Sequence, residues 1–239
     1  AECHRLSGDF KAQKAMLERI KAPKRTAKVN MALGGLYRRL GAESLAIQCY
    51  QEALRENPLA VEAAECLAQM NVKEQDVTRH VAEHARALPW LASYVSARML
   101  MASSDHKAGQ VAFQALVQSF PQCSEALVGL AVCHMEFGNN DEAAQAFSQA
   151  REVDEHMVDH MDQYALTLRS MGESAKLNKL THALMETDVR RPEAWVAASV
   201  YSELKDDPER AMEYADRALQ LDPRHAEAHL RKGNLCLSQ

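Results

Sequence analysis

The sequence predicts an all-α protein built as an α-solenoid, a row of stacked antiparallel helix pairs. Three observations predict it. Ala, Leu, Glu, Lys, Arg, Gln and Met dominate the 239 residues, and these residues lose least on entering a helix. Gly and Pro number only 9 and 7, and runs of β-branched residues are few. A small residue also recurs at near-constant spacing. Gly34, Ala68, Ala97, Ala131, Ala165, Ser199 and Gly233 stand 34, 29, 34, 34, 34 and 34 residues apart.

The chain opens inside a predicted helix, AECHRLSGDF, with Gly8 in the turn that follows. The first complete unit runs from Ala27 and contains KVNMALGGLYRRLGAESLAIQCYQEALRENP. Counted from Ala27, Leu33 and Gly34 fall at positions 7 and 8 and Tyr37 at 11. Ala46, Tyr50, Ala53 and Pro58 then fall at 20, 24, 27 and 32. This pattern resembles the 34-residue tetratricopeptide repeat; only position 4, Asn30, departs from it. The resemblance implies a right-handed superhelix. Small residues at 8 and 20 let helix A and helix B of a unit approach closely, and the residue at 24 fills the space beside them. Ala53 admits the next unit and Pro58 stops helix B.

A short, degenerate unit follows, around Val61 to Leu88. His80 and His84 are placed there where Ala and an aromatic are usual, which predicts a shortened turn or a local change of pitch. Two better units come later. In LVGLAVCHMEFGNNDEAAQAFSQA, Leu127, Leu130, Ala131, Ala143, Phe147 and Ala150 hold positions 4, 7, 8, 20, 24 and 27. In AWVAASVYSELKDDPERAMEYADRALQLDP, Trp195, Ala211, Ala218 and Pro223 are in place. Ser124, Asp141 and Asp207 are expected as helix N-caps, with Pro208 at N1. Gly8, Gly41, Gly138 and Gly172 are expected in the turns between helices A and B. The chain also closes inside a helix, HAEAHLRKGNLCLSQ. Residues 1–239 therefore read as one continuous array of about seven units, the first and last incomplete, and as a piece of a longer protein.

Chemistry is hard to find. No GxGxxG, Walker loop, GxSxG or catalytic Cys/His pairing is present, so no catalytic residue, cofactor or metal is predicted. His80/His84, His156/His160 and His225/His229 have the i, i+4 spacing that puts two imidazoles on one helix face. They lack a third ligand in register. Trp195 sits at a packing position and reads as core. The cysteines (Cys3, Cys49, Cys66, Cys123, Cys133, Cys236) contain no CxxC and read as apolar fillers in a reduced, intracellular protein. The apolar stretch 194–201 is too short to cross a bilayer, and no signal peptide opens the chain.

Net charge is −5 and pI about 6.1, which gives no global field for nucleic acid. Charge is uneven, however. From Arg19 to Gly41 there are seven basic residues and no acidic one; from Glu136 to Asp162 there are eight acidic residues and one basic, Arg151. Such runs are either solvated helix faces or docking surfaces. The basic run carries one aromatic, Tyr37, which the repeat already uses, so it lacks a stacking platform for nucleic acid.

In an array of this kind helix A lines a concave groove with positions 2, 5, 9, 12 and 13. These fall on Glu125, Val128, Val132, Met135 and Glu136, then Asp159, Asp162, Leu166 and Arg169, then Glu193, Val196, Val200 and Glu203. The groove reads as apolar with acidic edges, suited to a helical or extended protein partner with apolar anchors and some basic residues. The other reading is that these side chains touch only neighbouring helices. The Lys/Arg/Asn clamp of chaperone-type repeats and the asparagine ladder of glycosyltransferase-type repeats are absent.

Longer stretches carry a narrower resemblance. RTAKVNMALGGLYRRLG, YQEALRENPLAVEAAECL, MVDHMDQYALTLRSMG and RPEAWVAAS resemble the subunit-seven family of the anaphase-promoting complex (cyclosome). That resemblance implies a non-catalytic scaffold subunit of a cullin-RING-type ubiquitin ligase acting in mitosis, in nucleus and cytoplasm, with other repeat subunits as partners. Family members form V-shaped homodimers through N-terminal repeats, so dimerisation requires repeats that this chain lacks. Two alternatives stay open: a sister repeat subunit of the same complex, and a repeat arm of a chaperone adaptor or an enzyme.

Overall fold

The computed structural model describes residues 10–85 and 89–237, and every regular element among them is helical. In order these are α1 (Phe10–Glu18), a 3-10 turn (Ala22–Lys24), α2 (Ala27–Arg39), α3 (Glu43–Glu56), α4 (Val61–Gln69), α5 (Glu74–Ala85), α6 (Pro89–Ala102) and α7 (His106–Ser119). Then come α8 (Ser124–Glu136), α9 (Asn140–Val153), α10 (Met161–Ser170), α11 (Ser174–Thr187), α12 (Pro192–Leu204), α13 (Pro208–Leu221) and α14 (Ala226–Leu237). They fall into two compact units that meet in sequence at Ala112 and Phe113, within α7. Gly8, Cys3, the helix expected at Ala1 and the last two residues lie outside the described residues.

In the first unit α2 packs on α3, α3 on α4, and α4 on α6. The small-residue rule is visible at Gly34. A Cβ there would lie 2.6 Å from Cε1 of Tyr50, whose ring is itself 3% exposed. Leu33, Ala46, Ala53 and Leu54 complete the seam and are fully buried. In the second unit α8 packs on α9, α12 on α13, and the A-type helices α10, α12 and α14 follow one another. There Gly129 presses on Phe113: an added Cβ would meet Cε1 at 2.5 Å. Phe147 stacks on Tyr164 of the next hairpin with centroids 5.1 Å apart. Position 27 is buried at Ala53, Leu116, Ala150, Leu184 and Ala218, as the admission of a neighbouring hairpin requires.

A conformational marker repeats with the sequence. The turns between helices A and B hold a left-handed residue at Gly41, Asn71, Ser104, Gly138, Gly172 and Asp206. The last four are 34 residues apart. The degenerate unit breaks this spacing in an informative way. Helix α4 starts in register, with Ala64, Leu67 and Ala68 buried at positions 4, 7 and 8, but it ends at Gln69 and lacks its last turn. The inter-helix turn is one residue longer, not shorter. Helix α5 consequently slides by three residues, and Val77 and Val81 take the inward places assigned above to His80 and His84.

Three other expectations change. Asp207 caps α13, accepting from the Arg210 amide at 3.1 Å. Ser124 and Asp141 do not act as N-caps: each lies one or two residues inside its helix, after Cys123 and Asn139. Cys49, Cys66, Cys123, Cys133 and Cys236 are free thiols, but Cys236 is exposed and fills nothing. Trp195 is half-buried, packs against Tyr214 with centroids 5.7 Å apart, and donates its indole N–H to the Val189 carbonyl at 2.7 Å.

Candidate functional site

The expected groove residues separate into two groups. Val128, Val132, Val196 and Val200 are buried at 3%, 6%, 0% and 0% exposure, packed among their own and neighbouring helices. They have no surface to offer a partner, so the reading of these four as apolar anchors is corrected. A charge introduced at Val132 or Val200 would report on folding rather than on docking. Glu125 and Glu136 are exposed, and Met135, Leu166, Arg169, Glu193 and Glu203 are partly accessible. The accessible face of the second unit is therefore polar, and its charges are tied into ladders across α10, α12 and α14.

The first ladder runs from Asp159 to Arg191, which also donates to Glu193 at 2.8 Å. The second joins Asp162 to His225. Asp162 is 4% exposed, with Oδ2 3.4 Å from His225 Nε2, while Oδ1 accepts from the Gln163 amide at 2.9 Å. His225 Nδ1 accepts from the Ala228 amide at 3.2 Å, which caps α14 and leaves Nε2 as the nitrogen facing Asp162. The third is a branched ion cluster. Glu203 Oε2 accepts from Arg169 at 2.7 Å and from Arg231 at 2.6 Å. Arg231 is 3% exposed and also donates to Ser199 Oγ at 3.2 Å. Its Nη1 has no partner among the described residues.

Burial pushes the Asp162 carboxyl up to about 7; the Gln163 amide acts against this, and Glu193 and Glu227 add to it. The folded state thus holds this proton more tightly than the unfolded chain does. Stability is favoured below pH 4 and lost as pH rises from about 4 to 7, at up to about 1.4 kcal/mol per pH unit from this one group. Asp162→Asn is expected to flatten that slope, read by urea melts across the same pH range. Unchanged slopes would remove Asp162 as their source.

Arg191 and Arg231 were not singled out from the sequence, and His225 was noted only as half of a histidine pair. A signal existed for Arg231, since position 6 of the other second-unit repeats holds Gly129, Gln163 and Ala197. The histidine pairs separate. His160 is a left-handed residue before α10, so His156 and His160 share no helix face. His225 is a cap, and His229 Nε2 pairs with the Pro223 carbonyl at 2.9 Å. The side chains of His80 and His84 lie outside the described residues. Among the described residues no group of three potential metal ligands is assembled, and no helix is long and apolar enough to cross a membrane.

Stacked hairpins nested at small residues, with a charged A-helix face, can be compared with known proteins. Family models for the tetratricopeptide repeat match residues 94–156 and 198–239, and residues 27–58. The chain belongs to the tetratricopeptide-repeat family. Its sequence is 32% identical to anaphase-promoting complex subunit 7 of Arabidopsis thaliana over 99% of this chain and 44% of that protein. It is 38% identical to the cell division cycle protein 27 homolog B of the same plant, but over 37% of this chain and 12% of that protein. The chain thus spans less than half of the length of these relatives. Among solved structures, the anaphase-promoting complex hetero-tetramer Cut9-Hcn1 contains a similar tetratricopeptide-repeat fold, with TM-score 0.74 and 16% identity. That match covers 99% of this chain and 48% of that one.

Proposed function

We propose that this tetratricopeptide-repeat chain is part of a non-catalytic scaffold subunit of the anaphase-promoting complex, the subunit-seven type. The observation that carries the reading is coverage. Similarity to subunit 7 runs along 99% of the chain, whereas the matches to the cell division cycle 27 type cover 37% to 48% of it. That contrast favours subunit seven over a sister repeat subunit. The repeat intervals support one array through residues 1–239.

The scaffold acts by presenting the charged A-helix face, with Glu125, Met135, Glu136, Leu166, Arg169 and Glu203, to other repeat subunits or to peptide segments. It contributes no reaction centre of its own and works in nucleus and cytoplasm during mitosis. Ladders of paired charges suit such a role, because complementary potential sets register and partner choice more than raw affinity. The test is affinity purification of the tagged full-length protein from dividing cells with mass spectrometry. Ubiquitin-ligase subunits are expected at near-equal abundance. Recovery of chaperones without ligase subunits would overturn the proposal.

A further inference from the structure

We propose that Asp162 is a proton-operated latch on α14: with its carboxyl protonated α14 stays seated on α12 and α13, and with it ionised α14 opens locally while the rest of the array stays folded.

The latch joins elements far apart in the sequence. Asp162 stands at position 5 of the unit that begins with α10, and His225 stands at the start of α14, two units further on. His225 Nδ1 accepts from the Ala228 amide at 3.2 Å, so Nε2 carries the hydrogen and faces Asp162 Oδ2 at 3.4 Å. The Asp162 side chain is 5% exposed and that of His225 13%. A carboxyl group is thus enclosed between α10 and α14, with a neutral imidazole as its cross-helix partner.

The charges that face it oppose ionisation. Burial first, then Glu193 of α12 and Glu227 of α14, raise the Asp162 carboxyl to about 7. The Gln163 amide, donating to Oδ1 at 2.9 Å, acts against them. The nearby cation does not relieve this, because Arg191 is turned to Glu193 at 2.8 Å and to Asp159. Opening α14 hydrates Asp162 and carries Glu227 away from it, which returns the carboxyl toward its ordinary value of about 4. Closed α14 therefore holds the proton more tightly than open α14. Opening is favoured as pH rises through the interval between those two values.

Opening is local because α14 is lightly held. Its buried residues are Ala228, Arg231 and Leu235, against seven in α12. Leu235 packs with Ala211 and Ala215 of α13. An element with so little apolar burial opens at a lower free energy than the whole chain unfolds. Opening also bares the Arg231 guanidinium together with Asp162, so the charged face loses two of its ladders in one step.

The test is hydrogen exchange of the full-length protein from pH 5 to pH 8, read by mass spectrometry and corrected for the intrinsic rate at each pH. Protection of the α14 amides is expected to fall at least about tenfold between pH 5 and pH 7, since linkage to one proton allows up to about tenfold per pH unit. Helix α3 of the first unit is expected to keep its protection. Asp162→Asn, the neutral isostere of the protonated acid, is expected to keep α14 protected at every pH. Glu227→Gln, at a partly accessible position, leaves Asp162 in place and is expected to lessen the fall. Protection of α14 that is flat in the wild type, or that falls equally in Asp162→Asn, would overturn the proposal. So would a fall toward acid, which a titrating His225 would give, or a parallel loss at α3, which would show global unfolding.

Discussion

Glu203→Ala is expected to destabilise the chain by about 3–5 kcal/mol, the largest effect of a single exposed-face substitution. Among the described residues Glu203 is the one carboxylate paired with the guanidinium of Arg231, which is 3% exposed and already has one unpartnered nitrogen. Burial acts to strip the proton from Arg231 and Glu203 to retain it. Removing Glu203 leaves a desolvated cation with only Ser199 for company. The Glu203 side chain is 23% exposed, so water entering the gap places the loss at the lower end of the range. The control is decisive. Glu203→Ala combined with Arg231→Met is expected to recover most of the loss, because the pair itself is close to neutral and the orphaned charge is what costs. Equal losses for the single and double variants in urea melts would show that packing, not charge, holds this corner.

Gly129→Ala and Gly34→Ala are expected to cost about 2 kcal/mol each, against the usual gain of nearly 1 kcal/mol for Gly to Ala in a helix. The new Cβ atoms would stand 2.5 Å from Phe113 and 2.6 Å from Tyr50, in rings that are buried and cannot swing aside. Phe113→Leu added to Gly129→Ala is expected to return part of the stability. Gly233→Ala is the matched control: nothing lies within 4 Å of its added Cβ, so it should stabilise α14 slightly. A loss at Gly233 as large as at Gly34 would mean that the small-residue column reflects helix geometry rather than close approach.

Much of this architecture was legible in the sequence because close packing writes a period into it. Gly34, Ala131, Ala165 and Ser199 are small for a steric reason, and steric reasons recur with each hairpin. The short unit was found but misread. A lost helical turn and a gained turn residue cancel in part, and spacing alone reports only their sum. The groove was the weaker reading. Positions 5 and 9 were treated as surface, yet Val128, Val132, Val196 and Val200 are buried. The polar ladders escaped because they join residues from separate hairpins: Asp162 to His225, and Arg169 to Arg231 through Glu203. Nothing in a 34-residue period marks which charges will meet across two units. Asn30 was visible as a departure from pattern, and the structure places it at 5% exposure.

Docking within a ubiquitin ligase is the central claim, and sedimentation velocity tests it most directly. Purified full-length protein is mixed with the purified cell division cycle 27 type subunit at micromolar concentration. The account predicts a single faster boundary containing both chains, at a fixed ratio. Two independent boundaries across the whole titration would contradict it.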